Sequence, residues 1–335
     1  MRKVAINGLG RIGRLALRRL ARVPHVQVVA VNDLTDAATL AHLLKYDTVH
    51  GRAEFSVAVD GDGLVLDGRR IQVCAEPDPR RLPFGALGAE VVLECTGCFN
   101  RREQAANHLQ GSVQQVLLSA VTDDADRTVV LGVNDGALEL RTDRILSVGD
   151  GTLNCLAHLV KVLDDAFGLE AGLVTTVHST LSDQRILDLP HADLRLARAA
   201  TLSMIPAPCG ASAALGRVLP RFAGKLKGLA VRVPTPDGSL VDLTATLRGD
   251  ASLDAIHAAF RAAAATSALA PYLEVLDAEL VSADLVGQAA SCLYDPFLTK
   301  QLAPRLVKVF GWHDNELAAA ARLTDLCLRV LGVSR

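Results

Sequence analysis

A glycine-rich turn near the N-terminus has the spacing that binds the pyrophosphate of a dinucleotide. The segment Gly8-Leu9-Gly10-Arg11-Ile12-Gly13 follows a predicted strand over Lys3–Asn7 and opens a predicted helix over Arg11–Leu20. An acid, Asp33, ends the next β-rich run, 20 residues after Gly13. Asp33 is expected to bind the adenosine ribose and to repel a 2′-phosphate, so the pattern predicts NAD rather than NADP.

The glycines of the turn and the first residues of the helix are expected to have different roles in cofactor binding. Gly8 and Gly10 let the backbone approach the pyrophosphate, and Gly13 lets the helix pack closely on the strand. The amides at the helix start, at Arg11 and Ile12, bind the anion. The competing interpretation is a glycine-rich turn without a ligand.

Composition narrows the class of protein. The chain has 335 residues, half of them apolar and 21% charged, with a formal net charge of −2. Two domains are expected, with no electrostatic footprint for nucleic acid or anionic lipid. Neither a membrane-spanning run nor a signal peptide is apparent, so a cytoplasmic location is predicted. The seven cysteines fit neither a disulfide scaffold nor a zinc site, and we expect no metal and reduced, mostly buried thiols.

The order of predicted elements indicates an α/β Rossmann domain followed by an α+β domain with a mixed or antiparallel sheet. We expect an NAD-binding domain over 1–150, a catalytic and tetramerisation domain over 151–316, and a C-terminal helix over 317–335 that packs back on the first domain. The strands predicted for the first half are Val4–Asn7, Val26–Asn32, Val91–Cys95, Val116–Ser119, Thr128–Val133 and Arg144–Val148. Those predicted for the second half are Gly172–His178, Lys227–Pro234 and Leu240–Leu247, with helices over Thr152–Phe167, 252–268 and Glu316–Leu331.

From Lys3 to about Asp325 the chain resembles the phosphorylating glyceraldehyde-3-phosphate dehydrogenases, with the erythrose-4-phosphate dehydrogenases as near relatives. The segments that carry the resemblance are Ile6–Gly13, Val31–Asp36, Tyr46–Arg52, Glu94–Gly97, Thr175–Ser179, Asp183–His191, Val231–Pro236 and Trp312–Glu316.

The resemblance implies a homotetramer whose subunits oxidise a small phosphorylated aldehyde with NAD. In that family a cysteine thiolate attacks the aldehyde, a histidine activates the thiol, hydride passes to the nicotinamide, and phosphate releases the acyl group. By position, His178 matches the base, Asn315 the residue that orients the nicotinamide carboxamide, and Ser119 a further cofactor contact. The residues implied for the substrate or phosphate are Asp150, Thr152, Leu181, Asp183, Arg195, Arg198, Cys209, Gly210 and Arg232.

The chain departs from this pattern at the nucleophile. The family's Ser-Cys-Thr-Thr-Asn-Cys run corresponds to Asp150-Gly151-Thr152-Leu153-Asn154-Cys155, which leaves Gly151 at the nucleophile's position. Glycine cannot form a thioester. Cys155 lies one helical turn further on and is either a buried helix thiol or a substitute nucleophile.

Three residues expected near the substrate, Asp150, His178 and Arg232, each have both a functional and a structural interpretation. Asp150 either places an acid in the site or caps the following helix. Leu181 and Cys209 stand where family members have phosphate-binding threonines. His178 is either the family's base or a satisfied core histidine, and Arg232 is either an anion ligand or an exposed strand residue.

Three functions are therefore compatible with the sequence. The first is an NAD-dependent oxidoreductase of this family with an altered or missing thiol chemistry. The second is a catalytically inactive NAD-binding paralogue with a regulatory or scaffold role. The third is a non-covalent oxidation in which His178 takes a proton from an alcohol or an aldehyde hydrate.

Overall fold

The computed structural model describes residues 1–181 and 184–334, and these form two compact units. The first unit comprises residues 1–129, 137–149 and the chain from 319 onward, and the second comprises 130–136 and 150–318. No helix in the described part of the chain is both long and apolar enough to span a bilayer.

The first unit is built on a twisted sheet whose central strands are parallel. Within the described residues its order is β10-β11-β9-β8-β1-β2-β7-β6-β5. The strands are β1 (Arg2–Asn7), β2 (Val26–Asn32), β3 (Tyr46–Asp47), β4 (Gly51–Arg52), β5 (Val57–Asp60), β6 (Gly63–Leu66), β7 (Arg69–Cys74), β8 (Val91–Glu94), β9 (Gln115–Leu118), β10 (Arg127–Thr128) and β11 (Ile145–Ser147). The helices are α1 (Arg11–Leu20), α2 (Ala37–Lys45) and α3 (Arg102–Ala105), and β3 pairs only with β4.

Strand β1 is the point at which the sheet changes its winding direction. It pairs in parallel with β2 on one side and with β8 on the other. All three strands end at the same edge, and in doubly wound sheets the ligand binds at such an edge. The apolar runs of β1 and β8 are buried because helices cover both faces of a parallel sheet.

The second unit contains a mixed sheet of order β13-β14-β12-β15-β18-β17-β16 among the described residues. Its strands are β12 (Leu169–His178), β13 (Ile205–Pro208), β14 (Leu226–Arg232), β15 (Ser239–Leu247), β16 (Leu273–Val275), β17 (Cys292–Ala303) and β18 (Leu306–His313). The helices are α4 (Gly151–Phe167), α5 (Gly210–Val218) and α6 (Leu253–Ala264), and α7 (Leu317–Leu331) ends the chain. From Ala319 onward α7 belongs to the first unit, where Thr324 accepts a hydrogen bond from Arg19.

Helix α4 is buried over its first 10 residues, so it forms part of the core of the second unit. Strand β12 lies between β14, parallel to it, and β15, antiparallel to it. In this register His178 at the end of β12 is opposite Arg232 at the end of β14. The sheet therefore brings two of the predicted site residues side by side.

The predicted fold class is confirmed, with local corrections. The helix predicted over 252–268 ends at Ala264, and the strand predicted over Lys227–Pro234 ends at Arg232. The run Thr128–Val133 is a strand only at Arg127–Thr128, because Val130 donates to Asn134 Oδ1 and the chain turns there. All seven cysteines are free thiols, but only three of them are fully buried and Cys98 is exposed, so the expectation of mostly buried thiols is too strong.

Candidate cofactor and active site

The turn between β1 and α1 has backbone contacts that only glycine allows at two positions. Gly8 has φ +90°, and a Cβ there would lie 2.8 Å from the backbone nitrogen of Thr96. A Cβ at Gly13 would lie 2.0 Å from the carbonyl oxygen of Gly8. A Cβ at Gly10 would meet nothing within 4 Å. Gly8 and Gly13 are thus required by the turn itself, whereas Gly10 leaves open space beside it.

A cavity of about 470 Å³ lies beside this turn. Asp33 lines it, and the two oxygens of its carboxylate accept hydrogen bonds from the backbone of Leu9 at 2.9 Å and Thr35 at 3.0 Å. The acid is therefore fixed in position by the turn. The lining residues are Asn7, Gly8, Gly10, Asn32, Asp33, Leu34, Glu76, Pro77, Cys95, Thr96, Cys98 and Phe99. A glycine cradle with a fixed acid fits the adenosine half of NAD.

Two other predicted cofactor residues, Arg11 and Ser119, make hydrogen bonds within the protein. The guanidinium of Arg11 makes a bidentate pair with Asp47, at 2.5 and 3.0 Å, so Arg11 and the following Ile12 can offer a cofactor their backbone amides at the start of α1. The amide of Ser119 donates to the carbonyl oxygen of Glu94.

A buried polar network ties together the strand ends around the turn. Glu94 Oε2 accepts from Asn7 Nδ2 at 2.6 Å and lies 2.9 Å from His108 Nε2, and Glu94 Oε1 accepts from the Thr96 amide at 2.8 Å. Asn7 Oδ1 in turn accepts from Asn32 Nδ2 at 2.7 Å. The ends of β1, β2 and β8 are thereby joined through side chains next to Gly8 and Asp33.

In the second unit, the N-terminus of α4 is capped by an acid. Asp150 accepts a hydrogen bond from the Leu153 amide at 2.7 Å, and burial raises the pKa of its carboxyl. Of the two interpretations of Asp150, the structure shows the helix cap. An ionised Asp150 would also oppose an anion at this helix start.

The imidazole ring of His313 lies where a side chain at position 151 would begin. A Cβ added to Gly151 would lie 2.8 Å from Cδ2 and 3.3 Å from Nε2 of His313, and 3.6 Å from the Cα of Asn315. The His313 side chain is completely buried, at 0% exposure. The space beside the start of α4 therefore holds the ring of His313.

His178 and His313 meet at the same hydroxyl group. Thr152 Oγ1 lies 3.4 Å from Nε2 of each imidazole. Burial, with a smaller contribution from the charge of Arg232, lowers the pKa of His178 to about 4. Burial and the neighbouring His178 lower the pKa of His313 to about 3. Both rings are therefore neutral at neutral pH.

The side-chain amide of Asn315 has its oxygen held by hydrogen bonds within the protein. Its Oδ1 accepts hydrogen bonds from the hydroxyls of Ser179 at 2.5 Å and Ser239 at 3.1 Å, and its backbone amide donates to Asp237 Oδ1 at 3.1 Å. With Oδ1 held by two serines, the Nδ2 group is the end that can donate to a ligand.

Cys155 points away from the helix start. Its Sγ lies 4.0 Å from the Trp312 carbonyl oxygen, and a Cβ on Gly311 would lie 2.7 Å from that Sγ and 2.9 Å from Cys292 Sγ. Cys155 is fully buried, and burial raises the pKa of its thiol. A buried, protonated thiol is a poor nucleophile, so this geometry favours the interpretation of Cys155 as a packing residue.

The remaining predicted substrate residues are dispersed within the second unit. Arg198 pairs with Asp188 through Nε at 3.0 Å, and Arg195 has an exposed side chain. Leu181 is exposed, Cys209 precedes α5 as its N-cap residue without a side-chain bond, and Gly210 is the first residue of α5. Asp183 lies outside the described residues.

The sequence reasoning missed His313, Ser179, Ser239, Glu94 and His108 as parts of these sites. His313, Ser179 and Glu94 lie inside segments that carry the family resemblance, and the position of His313 two residues before Asn315 was the available signal. The others require knowledge of which strands pair.

Comparisons with known proteins agree with this geometry. Residues 2–102 match the family model described as the NAD binding domain of glyceraldehyde 3-phosphate dehydrogenase, and residues 151–315 match the model of its C-terminal domain. Glyceraldehyde-3-phosphate dehydrogenase of Geobacillus stearothermophilus is 47% identical over 324 residues, which covers 97% of this chain and 96% of that protein. The enzyme of Streptomyces coelicolor is 44% identical over 329 residues, or 98% of each chain.

A Rossmann unit with a glycine cradle, together with a mixed-sheet unit that brings a histidine at a strand end next to the start of a helix, is typical of an NAD-binding oxidoreductase. More specifically, the two family models and the full-length relatives place the chain in the glyceraldehyde-3-phosphate dehydrogenase family. Its cofactor is NAD.

Proposed function

We propose that this protein oxidises a small phosphorylated aldehyde with NAD through the hydrated aldehyde and without a thioester. The observation that carries the proposal is that position 151 has no side chain and that His313 lies in the space beside it. The thiol route requires a nucleophile there. His178, which retains a neutral ring at the same helix start, needs no thiol to accept a proton.

The proposed reaction balances without phosphate. The hydrate carries two hydroxyl groups on the aldehyde carbon. His178 takes the proton of one hydroxyl while hydride leaves the carbon, and the carbon becomes a carboxylic acid. NAD, when bound, supplies the hydride acceptor. The products are a free acid, NADH and a proton, whereas the thioester route ends in an acyl phosphate.

We propose that the NAD contacts are Gly8, Gly10, Arg11, Ile12, Gly13, Asp33, Ser119 and Asn315. Arg232 is the proposed ligand of the substrate phosphate, supported by its position beside His178. We assign supporting substrate contacts to Thr152, Leu181, Asp183, Arg195, Arg198, Cys209 and Gly210. We also propose the functional division 1–150 for NAD, 151–316 for substrate, and 317–335 as the C-terminal helix.

A second candidate is an NAD-binding paralogue without turnover, with a regulatory or scaffold role. The observation that favours it is the weak basicity of both imidazoles, because a base whose pKa is about 4 accepts a proton poorly at neutral pH. An ionised Asp150 at the helix start would act in the same direction by opposing a phosphate.

NADH absorbance with glyceraldehyde 3-phosphate and erythrose 4-phosphate separates the candidates. We expect slow NADH formation that is equal with and without inorganic phosphate or arsenate, with the free acid as the product in an NMR spectrum. His178→Asn is expected to lower the rate by about 10²-fold or more. Cys155→Ser, the control, is expected to leave it within about twofold because the Cys155 thiol is buried away from the helix start.

Two outcomes would contradict the proposal. Phosphate-dependent NADH formation that is lost in Cys155→Ser would establish thiol chemistry at a substitute nucleophile. If calorimetry shows NAD binding but neither sugar phosphate yields NADH, the second candidate, the inactive paralogue, is supported instead.

We further infer that the protein is a cytoplasmic homotetramer. The support for the assembly is a group of exposed apolar side chains over residues 186–204, of which Leu194 and Leu202 are each 80% exposed. Such a surface is typical of a protein interface. Sedimentation is expected to give about four times the chain mass of 35.4 kDa. The pair Leu194→Asp and Leu202→Asp should yield smaller species and Leu140→Asp should not, whereas a wild-type monomer would refute the assembly.

A further inference from the structure

His313 has one hydrogen-bond partner for two ring nitrogens. Its Nε2 faces Thr152 Oγ1 at 3.4 Å, and its Nδ1 has no partner among residues 1–181 and 184–334. The ring is fully buried, so water does not reach Nδ1 from the surface. A neutral imidazole carries a single proton, which must be on one of the two nitrogens.

The surroundings decide which nitrogen carries that proton. A buried N–H without an acceptor is rarer in proteins than a buried acceptor without a donor, because an unused N–H loses a strong hydrogen bond to water. A proton on Nδ1 of His313 would be such an N–H. The proton is therefore on Nε2, and His313 donates to Thr152 Oγ1.

This donation fixes the direction of the next hydrogen bond. The Thr152 hydroxyl has one hydrogen, and its oxygen already accepts from His313. The hydroxyl oxygen could accept a second time, but its own hydrogen needs an acceptor, and we assign that hydrogen to Nε2 of His178, 3.4 Å away. An Nε2 atom that accepts a hydrogen bond carries no proton, so the proton of His178 is on Nδ1.

We propose that His313 is a positioning residue that, through Thr152, keeps Nε2 of His178 in the form that accepts a proton. The buried His313 acts on His178 without touching the substrate. The catalytic use of this lone pair rests on the proposed function: the hydroxyl of the hydrated aldehyde takes the place of the Thr152 hydroxyl at Nε2 of His178, and its proton then passes to Nε2. The hydrogen-bond direction itself exists without turnover.

Nitrogen NMR of the full chain, labelled with ¹⁵N-histidine, tests the proposal. In the wild type, His178 Nε2 is expected to resonate as an unprotonated nitrogen and Nδ1 as a protonated one, with the reverse in His313; His178→Asn assigns the signals. His313→Phe keeps a planar ring but removes the donor, so His178 should show both tautomers. His313→Gln, which restores an N–H donor, should return His178 to the Nδ1-protonated form.

Thr152→Val provides a second variant if His313→Phe does not fold, because it removes the hydroxyl with little change in shape. It should also mix the tautomers of His178. The proposal is overturned if His178 carries its proton on Nε2 in the wild type, or if Thr152→Val leaves the tautomer unchanged.

The measurement separates this inference from the proposed function. The expected tautomers in a protein that forms no NADH would leave the inference in place and refute the oxidation. NADH formation from a protein whose His178 is protonated on Nε2 would do the opposite.

Discussion

A cysteine introduced at position 151 by itself is expected to destabilise the protein and to restore no thiol chemistry. Its Cβ would lie 2.8 Å from Cδ2 of His313, and that ring is fully buried, so the ring or the start of α4 must shift. Overpacking of this kind costs about 1–3 kcal/mol.

The double variant Gly151→Cys with His313→Ala makes room for the side chain. We expect its phosphate-dependent NADH formation to exceed that of Gly151→Cys at least about tenfold, in line with removal of a steric block worth more than about 1.4 kcal/mol. Alkylation of the introduced thiol should likewise be faster in the double variant. Urea unfolding and NADH absorbance measure the two effects.

A matched control is available at the start of another helix. Gly210 is the first residue of α5, as Gly151 is of α4, and a Cβ there would meet nothing within 4 Å. Gly210→Ala should therefore be neutral or stabilising by up to about 1 kcal/mol, whereas Gly151→Ala should destabilise. A Gly151→Cys protein that is as stable as the wild type and makes acyl phosphate would refute the steric argument.

Glu94→Gln is expected to lower the free energy of unfolding by about 3 kcal/mol and to weaken NAD binding about tenfold. Glu94 is 1% exposed, accepts hydrogen bonds from Asn7 and Thr96, and lies 2.9 Å from Nε2 of His108. An amide nitrogen in place of one carboxylate oxygen would face donors and leave them unsatisfied in the interior. Asn7 directly precedes Gly8, so the loss extends to the cofactor turn.

Glu90→Gln is the matched control for this change. Glu90 also accepts from a backbone amide, that of Lys3, and pairs with Arg2, but its side chain is 23% exposed. Its replacement should cost less than about 1 kcal/mol and leave NAD binding unchanged. Unfolding followed by circular dichroism and NAD titration by calorimetry measure both variants. Equal effects of the two substitutions would show that the buried network has no special role.

The cofactor unit was largely predictable because its determinants are local in sequence. The predicted strand Val26–Asn32 and helix Arg11–Leu20 have the bounds that the structure shows. The glycine turn could be predicted as well, since the short distances between Gly8 and Gly13 follow from their spacing. The failure at Thr128–Val133 arose because a side chain, Asn134, captures the backbone that the apolar pattern assigned to a strand.

The content of the candidate active site could not be predicted in the same way. That Gly151 lacks a side chain is visible in the sequence, but what fills the space depends on β18, whose last residue is 162 positions away. His313 reaches the start of α4 only through the register of β18 on β15, where it lies opposite Ser239. Local patterns contain no information on such long-range contacts.

The ring of His313 beside Gly151 also constrains how this lineage can change. Acquiring a thiol at position 151 by one mutation gives a variant in which the cysteine Cβ and the His313 ring lie too close together. The two positions are therefore epistatic, since the effect of a cysteine depends on what residue 313 is. A protein that acquires a cysteine at position 151 is therefore expected to tolerate it better once residue 313 has changed.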